Sequence, residues 1–105
     1  MLHKPPLILG IGGTLRQGSS SERALQMALL AAEQAGAKVK AFTGVKLDFP
    51  HYDSGNKVAI EAASELIALY RECDGVIIAS PGYHGSISGM IKNALDYIEE
   101  LSKDE

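Results

Sequence analysis

Thr14, Arg16, Ser19, Ser20 and Ser21 set four hydroxyls around one guanidinium, just ahead of an amphipathic segment that begins near Glu22. Hydroxyls rotate to donate to phosphate oxygens, and an arginine adds a charge-assisted, fork-shaped contact. The set suits one phosphate monoester, as at the end of a mononucleotide. Serines of this kind also cap helices, so a solvated loop that merely starts a helix accounts for the same residues.

Three well-known motifs are excluded by position. Gly13 and Gly18 have the spacing of a P-loop, but Ser19 stands where its lysine must be. Gly10 and Gly12 begin a dinucleotide fingerprint, but Leu15 holds the third glycine's place. In Gly85-Ser86-Ile87-Ser88-Gly89 the centre is Ile87, which excludes a nucleophile elbow. Triphosphate, dinucleotide and acyl chemistry lose their support together.

The elements that must position these loops follow from periodicity. Leu7–Ile11 is a continuous apolar run that stops at Gly12-Gly13, as a parallel strand buried on both faces would. Ser19–Ser21 offer N-caps, and Leu25, Ala28, Leu29 and Ala32 then mark one helical face up to Gly36. Lys38–Thr43 reads as a second strand, and Gly44–Lys57 as a packed loop holding Leu47, Phe49 and Tyr52. Val58–Cys73 reads as one helix with Ala59, Ala62, Ala63, Leu66, Tyr70 and Cys73 inward. Gly75–Ser80 reads as a third apolar strand, Pro81–Ser88 as a loop, and Gly89–Leu101 as a helix with Met90, Ile91, Ala94, Leu95, Ile98 and Leu101 inward. Met1–Pro6 and Ser102–Glu105 read as a loose leader and a frayed end. Alternating strands and helices imply βαβ units and a parallel sheet. Both glycine-rich loops then fall at the carboxyl edge of the strands, where ligands bind in such sheets.

The chain has 105 residues, enough for one small domain, here 1–105. Its 46% hydrophobic and 22% charged composition is that of a folded globular domain. A net charge of −3 excludes the basic face a nucleic-acid partner needs. No apolar run reaches the ~20 residues of a membrane span, and nothing resembles a secretory signal. One cysteine, Cys73, fits a reducing cytoplasm and, from its apolar helix face, a core position. His3 and His51 have no acidic or thiol companions at ligand spacing, so no metal site is expected. Lys92 and Asp96, one helical turn apart, are placed to form an intrahelical pair.

Two blocks carry a more specific resemblance. Gly13-Thr14-Leu15-Arg16-Gln17-Gly18-Ser19 resembles the GS-x-R-x-x-S loop of the NAD(P)H-dependent FMN reductases, a branch of the flavodoxin-like fold. Ser80-Pro81-Gly82-Tyr83-His84-Gly85-Ser86-Ile87-Ser88-Gly89, running on to Lys92-Asn93-Ala94-Leu95-Asp96, resembles that family's S-P-E-Y-N-G-S-x-P-G…K-N-A-L-D run. The resemblance implies a three-layer α/β flavodoxin-like parallel sheet, here with its first three strands in the order 2-1-3 and three helices. It implies that Thr14, Arg16, Ser19, Ser20 and Ser21 hold the FMN phosphate. Pro81, Gly82, Tyr83, His84 and Gly85 would wrap the flavin ring, mostly through backbone groups.

Gly82 and His84 replace the family's usual Glu and Asn, and Ser88 its Pro; Ser21 stands where an Asn is common. Backbone contacts survive such changes, so they bear more on substrate than on flavin. Tyr83 would stack near the ring, cover a subunit contact or simply pack. His84 has the residue type of a proton donor, but hydride transfer to flavin needs no protein acid, and no catalytic residue is assigned. The implied function is hydride transfer from NADPH or NADH to bound FMN and on to a small acceptor, a flavin, quinone or similar. A cytoplasmic homodimer or homotetramer is implied, with the last helix near a subunit contact. A flavodoxin-like sheet has five strands and only three are found here, which leaves the third strand with an unpaired apolar edge. A truncated chain is expected, and the alternative function is a non-catalytic interaction module with an incomplete flavin site. A phosphate site for some other mononucleotide is a third reading.

Overall fold

A computed structural model describes residues 4–104 of the chain. Met1 to His3 and Glu105 lie outside the described residues, and with them the leader as far as His3, the exclusion of His3 as a ligand, and the last residue of the frayed end. Lys4, Pro5 and Pro6 are exposed and precede the first strand.

The strand β1 (Leu7–Gly12) lies between β2 (Lys38–Phe42) and β3 (Gly75–Ala79), with both pairings parallel. The order β2-β1-β3 is the one expected. Side chains alternate across β1, and the two faces have different neighbours. On one face Gly10 and Gly12 meet α1 (Ser20–Gln34) so closely that a Cβ at Gly10 would lie 2.7 Å from the Leu29 side chain. On the other face Leu9 and Ile11 are fully buried with Phe42, Leu47, Leu66, Leu69, Ile91 and Ala94. Those partners bring in α3 (Ser64–Glu72) and α4 (Gly89–Asp96), so helices cover both faces of the sheet. This is the three-layer α/β arrangement.

Ser19 is the N-cap of α1, its Oγ accepting from the Glu22 N–H at 3.2 Å. Gly36 follows the helix at φ 106°, the left-handed position that glycine takes without strain.

Four expectations are corrected. Val58–Cys73 is not one helix: α2 (Lys57–Ala62) ends and α3 begins after Ala63, giving four α-helices among the described residues instead of three. Ala63 leaves the helical region at φ −93°, ψ 9°, and is fully buried beside Ile67 and Tyr97. The reorientation exposes Ala62, which was expected inward. The last helix stops at Asp96, and Tyr97–Asp104 tightens into a 3-10 helix. That change of pitch turns Ile98 outward to 40% exposure. Ser102–Asp104 is ordered helix, tied down by a two-pronged Arg71–Asp104 pair at 2.7 and 3.0 Å. β3 is not buried on both faces: Val76 and Ile78 keep 42% and 44% of their surface exposed.

The segment between β2 and α2 is strapped down, as its Leu47, Phe49 and Tyr52 suggest. The Asn93 carboxamide accepts from the Tyr52 N–H at 2.7 Å and donates to the Phe49 and Pro50 carbonyls at 3.0 and 2.9 Å. The Tyr97 hydroxyl also donates to the Pro50 carbonyl, at 2.7 Å. Cys73 is half-buried against the main core, and Lys92 pairs with Asp96 on the exposed side of α4.

Candidate functional site

The loops after β1 and β3 meet at the carboxyl edge of the sheet. Between them lies a cavity of about 600 Å³, lined by Thr14, Arg16, Ser19, Ser20, Ser21, Ser80, Pro81 and Tyr83. Its size is that of a small-molecule site, for which roughly 300–1,000 Å³ is usual. All five residues of the hydroxyl–guanidinium set line it, together with two of the five from the second loop.

Local structure explains why the first loop faces the cavity. Gly13 donates its N–H to the Ala79 carbonyl at 3.1 Å, which holds the loop's start against β3. The Thr14 hydroxyl accepts from the Arg16 N–H at 3.2 Å and turns the chain outward. Gly18, at φ 71°, turns it back into Ser19 and the helix. Ser19 is almost fully buried, and its hydroxyl lies 3.3 Å from that of Ser21. Arg16 and Ser20 are exposed, and among the described residues neither side chain has a hydrogen-bond or ion-pair partner.

Charge favours an anion at this place. The first-turn amides of α1 have no acceptors within the helix, and the helix dipole adds partial positive charge where Ser20 and Ser21 sit. Arg16 supplies a full positive charge beside them. The donors present therefore fit a phosphate monoester, with Ser19 divided between capping and the site.

The second loop is shaped by its apex. His84 sits at φ 50°, ψ 33°, and Gly85 at φ 77°; the Ser86 N–H donates to the Tyr83 carbonyl at 3.0 Å. Positive φ at both central residues is the signature of a type I′ turn. A histidine at the first of them is held in a region that non-glycine residues seldom take. Pro81 and Tyr83 line the cavity. Gly82, His84 and Gly85 do not; they form the exposed turn beside it. Tyr83 is 57% exposed, so it forms a wall of the cavity and not part of a core.

A smaller hollow of about 270 Å³ adjoins on the far side of Arg16 and Tyr83, and includes Leu15 and Met90. His51 lies on the exposed surface, and no cluster of metal-ligating side chains occurs among the described residues. No helix there is long and apolar enough to cross a membrane.

Ser80 and Ser88 were not singled out as site residues, yet both shape this edge. The Ser80 hydroxyl donates to the Pro81 carbonyl at 2.8 Å and accepts from the Ser88 N–H at 2.9 Å. Ser88 in turn caps α4 through the Ile91 N–H. Only the serine directly before Pro81 hinted at the first contact.

A three-layer parallel sheet with a hydroxyl- and arginine-bearing loop after its central strand, facing one cavity with a loop from the neighbouring strand, is the arrangement of a flavodoxin-like domain. The chain belongs to the NADPH-dependent FMN reductase family, whose sequence pattern it matches over residues 6–104. It is similar to the NAD(P)H-dependent FMN reductase of Pseudomonas aeruginosa, 35% identical over 92 residues that cover 86% of this chain and 48% of that protein. It is similar also to a quinone reductase of Escherichia coli K12, 34% identical over 95 residues covering 85% and 48%. A shorter likeness, 44% over 39 residues, joins it to an NADPH azoreductase of a Bacillus species, with 37% and 22% covered. The chain spans about half the length of the first two of these relatives.

Proposed function

We propose that this chain is a single flavodoxin-like domain that holds FMN at the carboxyl edge of its sheet, for the transfer of reducing equivalents from NADPH or NADH to a small acceptor. The observation that carries the reading is the convergence of both loops on one cavity. Arg16, Thr14, Ser20, Ser21 and the first turn of α1 bind the terminal phosphate; Ser19 shares its hydroxyl between that task and the helix cap. Pro81 and Tyr83, on the cavity wall, would hold the flavin ring, and the Gly82–His84–Gly85 turn beside it would offer backbone groups. Bound flavin would supply the two-electron redox chemistry between the nicotinamide and the acceptor. The protein's part is to bind, orient and leave one face of the ring open. No side chain is needed as a proton donor, His84 included.

Names borne by similar proteins, quinone reductase and azoreductase, support a small conjugated acceptor. The reading also carries a cytoplasmic homodimer or homotetramer, which light scattering checks. An absorption spectrum of the desalted chain after addition of FMN tests the central point. Retained and shifted flavin bands are expected, followed by bleaching with NADPH and recovery with a quinone; a colourless protein overturns the reading. A second reading, a non-catalytic interaction module with an incomplete flavin site, is favoured by the half-exposed Val76 and Ile78 on β3. It predicts little flavin uptake and no oxidation of NADPH.

A further inference from the structure

The Pro81–Ile87 loop has little to hold it in place. From Gly82 to Ile87 every residue is exposed, and the hydrogen bonds within it are two short-range ones, Gly85 N–H to the Gly82 carbonyl and Ser86 N–H to that of Tyr83. What closes it is one side chain. The Ser80 hydroxyl bridges the two ends of the loop, its proton on the Pro81 carbonyl and its lone pair receiving the Ser88 N–H, eight residues along. Ser80 lines the cavity, but a serine has one proton to give, and here it is already given. Its place is at the neck of the loop.

That neck rests on the other loop. Ser88 is nearly fully buried, and a Cβ at Gly13 would lie 2.4 Å from its Oγ. Gly13 itself donates to the carbonyl of Ala79, the residue before Ser80. The anion loop and the neck of the second loop therefore share one tight seam.

We propose that Ser80 is a positioning residue: by closing the neck, its hydroxyl preorganises Pro81 and Tyr83 for the flavin ring while making no contact with the phosphate. This rests on the FMN reading above. The test compares the intact chain with Ser80→Ala and Ser80→Thr, following amide hydrogen exchange by NMR and the affinities for FMN and riboflavin. In Ser80→Ala the Gly85, Ser86 and Ser88 amides exchange about thirtyfold faster, the loss of the two hydrogen bonds the hydroxyl makes, while β1 amides keep their protection. Affinities for FMN and riboflavin fall by the same factor, because the ring side alone is loosened. Ser80→Thr, which keeps the hydroxyl, restores both. Unchanged exchange at Gly85 and Ser86 overturns the proposal, as does a loosened loop with unchanged flavin affinity or a loss confined to FMN. A wild-type chain that takes up no flavin overturns the cofactor reading, and exchange at Gly85 and Ser86 still decides the neck.

Discussion

Two polar regions of this molecule use similar residues in opposite ways. Around the strap, Tyr52, Asn93, Tyr97 and Glu100 turn their hydrogen-bonding groups inward. Asn93 makes three contacts to backbone, Tyr97 one, and Glu100 accepts from both Tyr52 and Lys103. At the sheet edge, the side chains of Arg16 and Ser20 make none among the described residues, and Ser19 and Ser21 share one weak contact beyond the cap. The first pattern is a fold holding itself together. The second leaves donors unused beside a cavity. Polarity that the chain has already used marks structure, and polarity left over beside a cavity marks a site.

Substitutions can break or sharpen that contrast. Gly13→Ala strikes the seam where the site meets the core, since its Cβ would stand 2.4 Å from both Ser88 Oγ and Ile91 Cδ1. Overpacking of this kind costs about 3 kcal/mol, and a thermal melt should fall by roughly 15 °C. Asn93→Ala strikes the strap alone. Leaving the Tyr52 N–H and the Phe49 carbonyl without a partner, while Pro50 keeps the Tyr97 hydroxyl, costs about 2 kcal/mol, a fall of roughly 10 °C. Flavin affinity of the folded protein should be untouched; a loss there would erase the distinction between the regions. His84→Asn acts at the site's strained apex, where asparagine takes the left-handed conformation more readily. It should raise stability by about 1 kcal/mol, checked by urea unfolding.

The smallest effect is electrostatic and belongs to the strap. The Lys103 ammonium, then the Tyr52 hydroxyl, hold the Glu100 carboxyl below the ordinary carboxylate range, and the same carboxylate pushes Tyr52 up to about 12. A depressed carboxyl stabilises the fold above its unfolded value, 4.5, and loses that stabilisation as the pH falls through its folded value. Tyr52, raised from 10.0, contributes below that value and loses its contribution as the pH rises through about 12. Chemical unfolding of wild type and Glu100→Gln should therefore differ near neutrality and converge in acid. A constant gap would remove Glu100 from the strap.

Much of the site was legible because its signals are local. Gly12-Gly13 ends a strand, Ser19 caps a helix, and Gly36 closes it, each within a few residues of what it controls. The strap was not legible, because Asn93 and Glu100 act on residues 41 to 48 positions away. The break at Ala63 has the same origin: the apolar period runs through it unbroken, and burial against the distant Tyr97 decides the turn. Within Pro81–Gly85, sequence could name the loop but not which side chains face the cavity. That depends on a type I′ turn whose first central residue is a histidine and not a glycine.

A grip on a terminal phosphate by Arg16 and the neighbouring hydroxyls is tested by titrating FMN against riboflavin. FMN should bind the wild-type chain about tenfold or more tightly than riboflavin, the worth of one charge-assisted contact. Arg16→Ala should remove most of that difference while leaving riboflavin affinity and the thermal melt unchanged. Equal affinities in the wild type, or an equal loss of both flavins in Arg16→Ala, would contradict it.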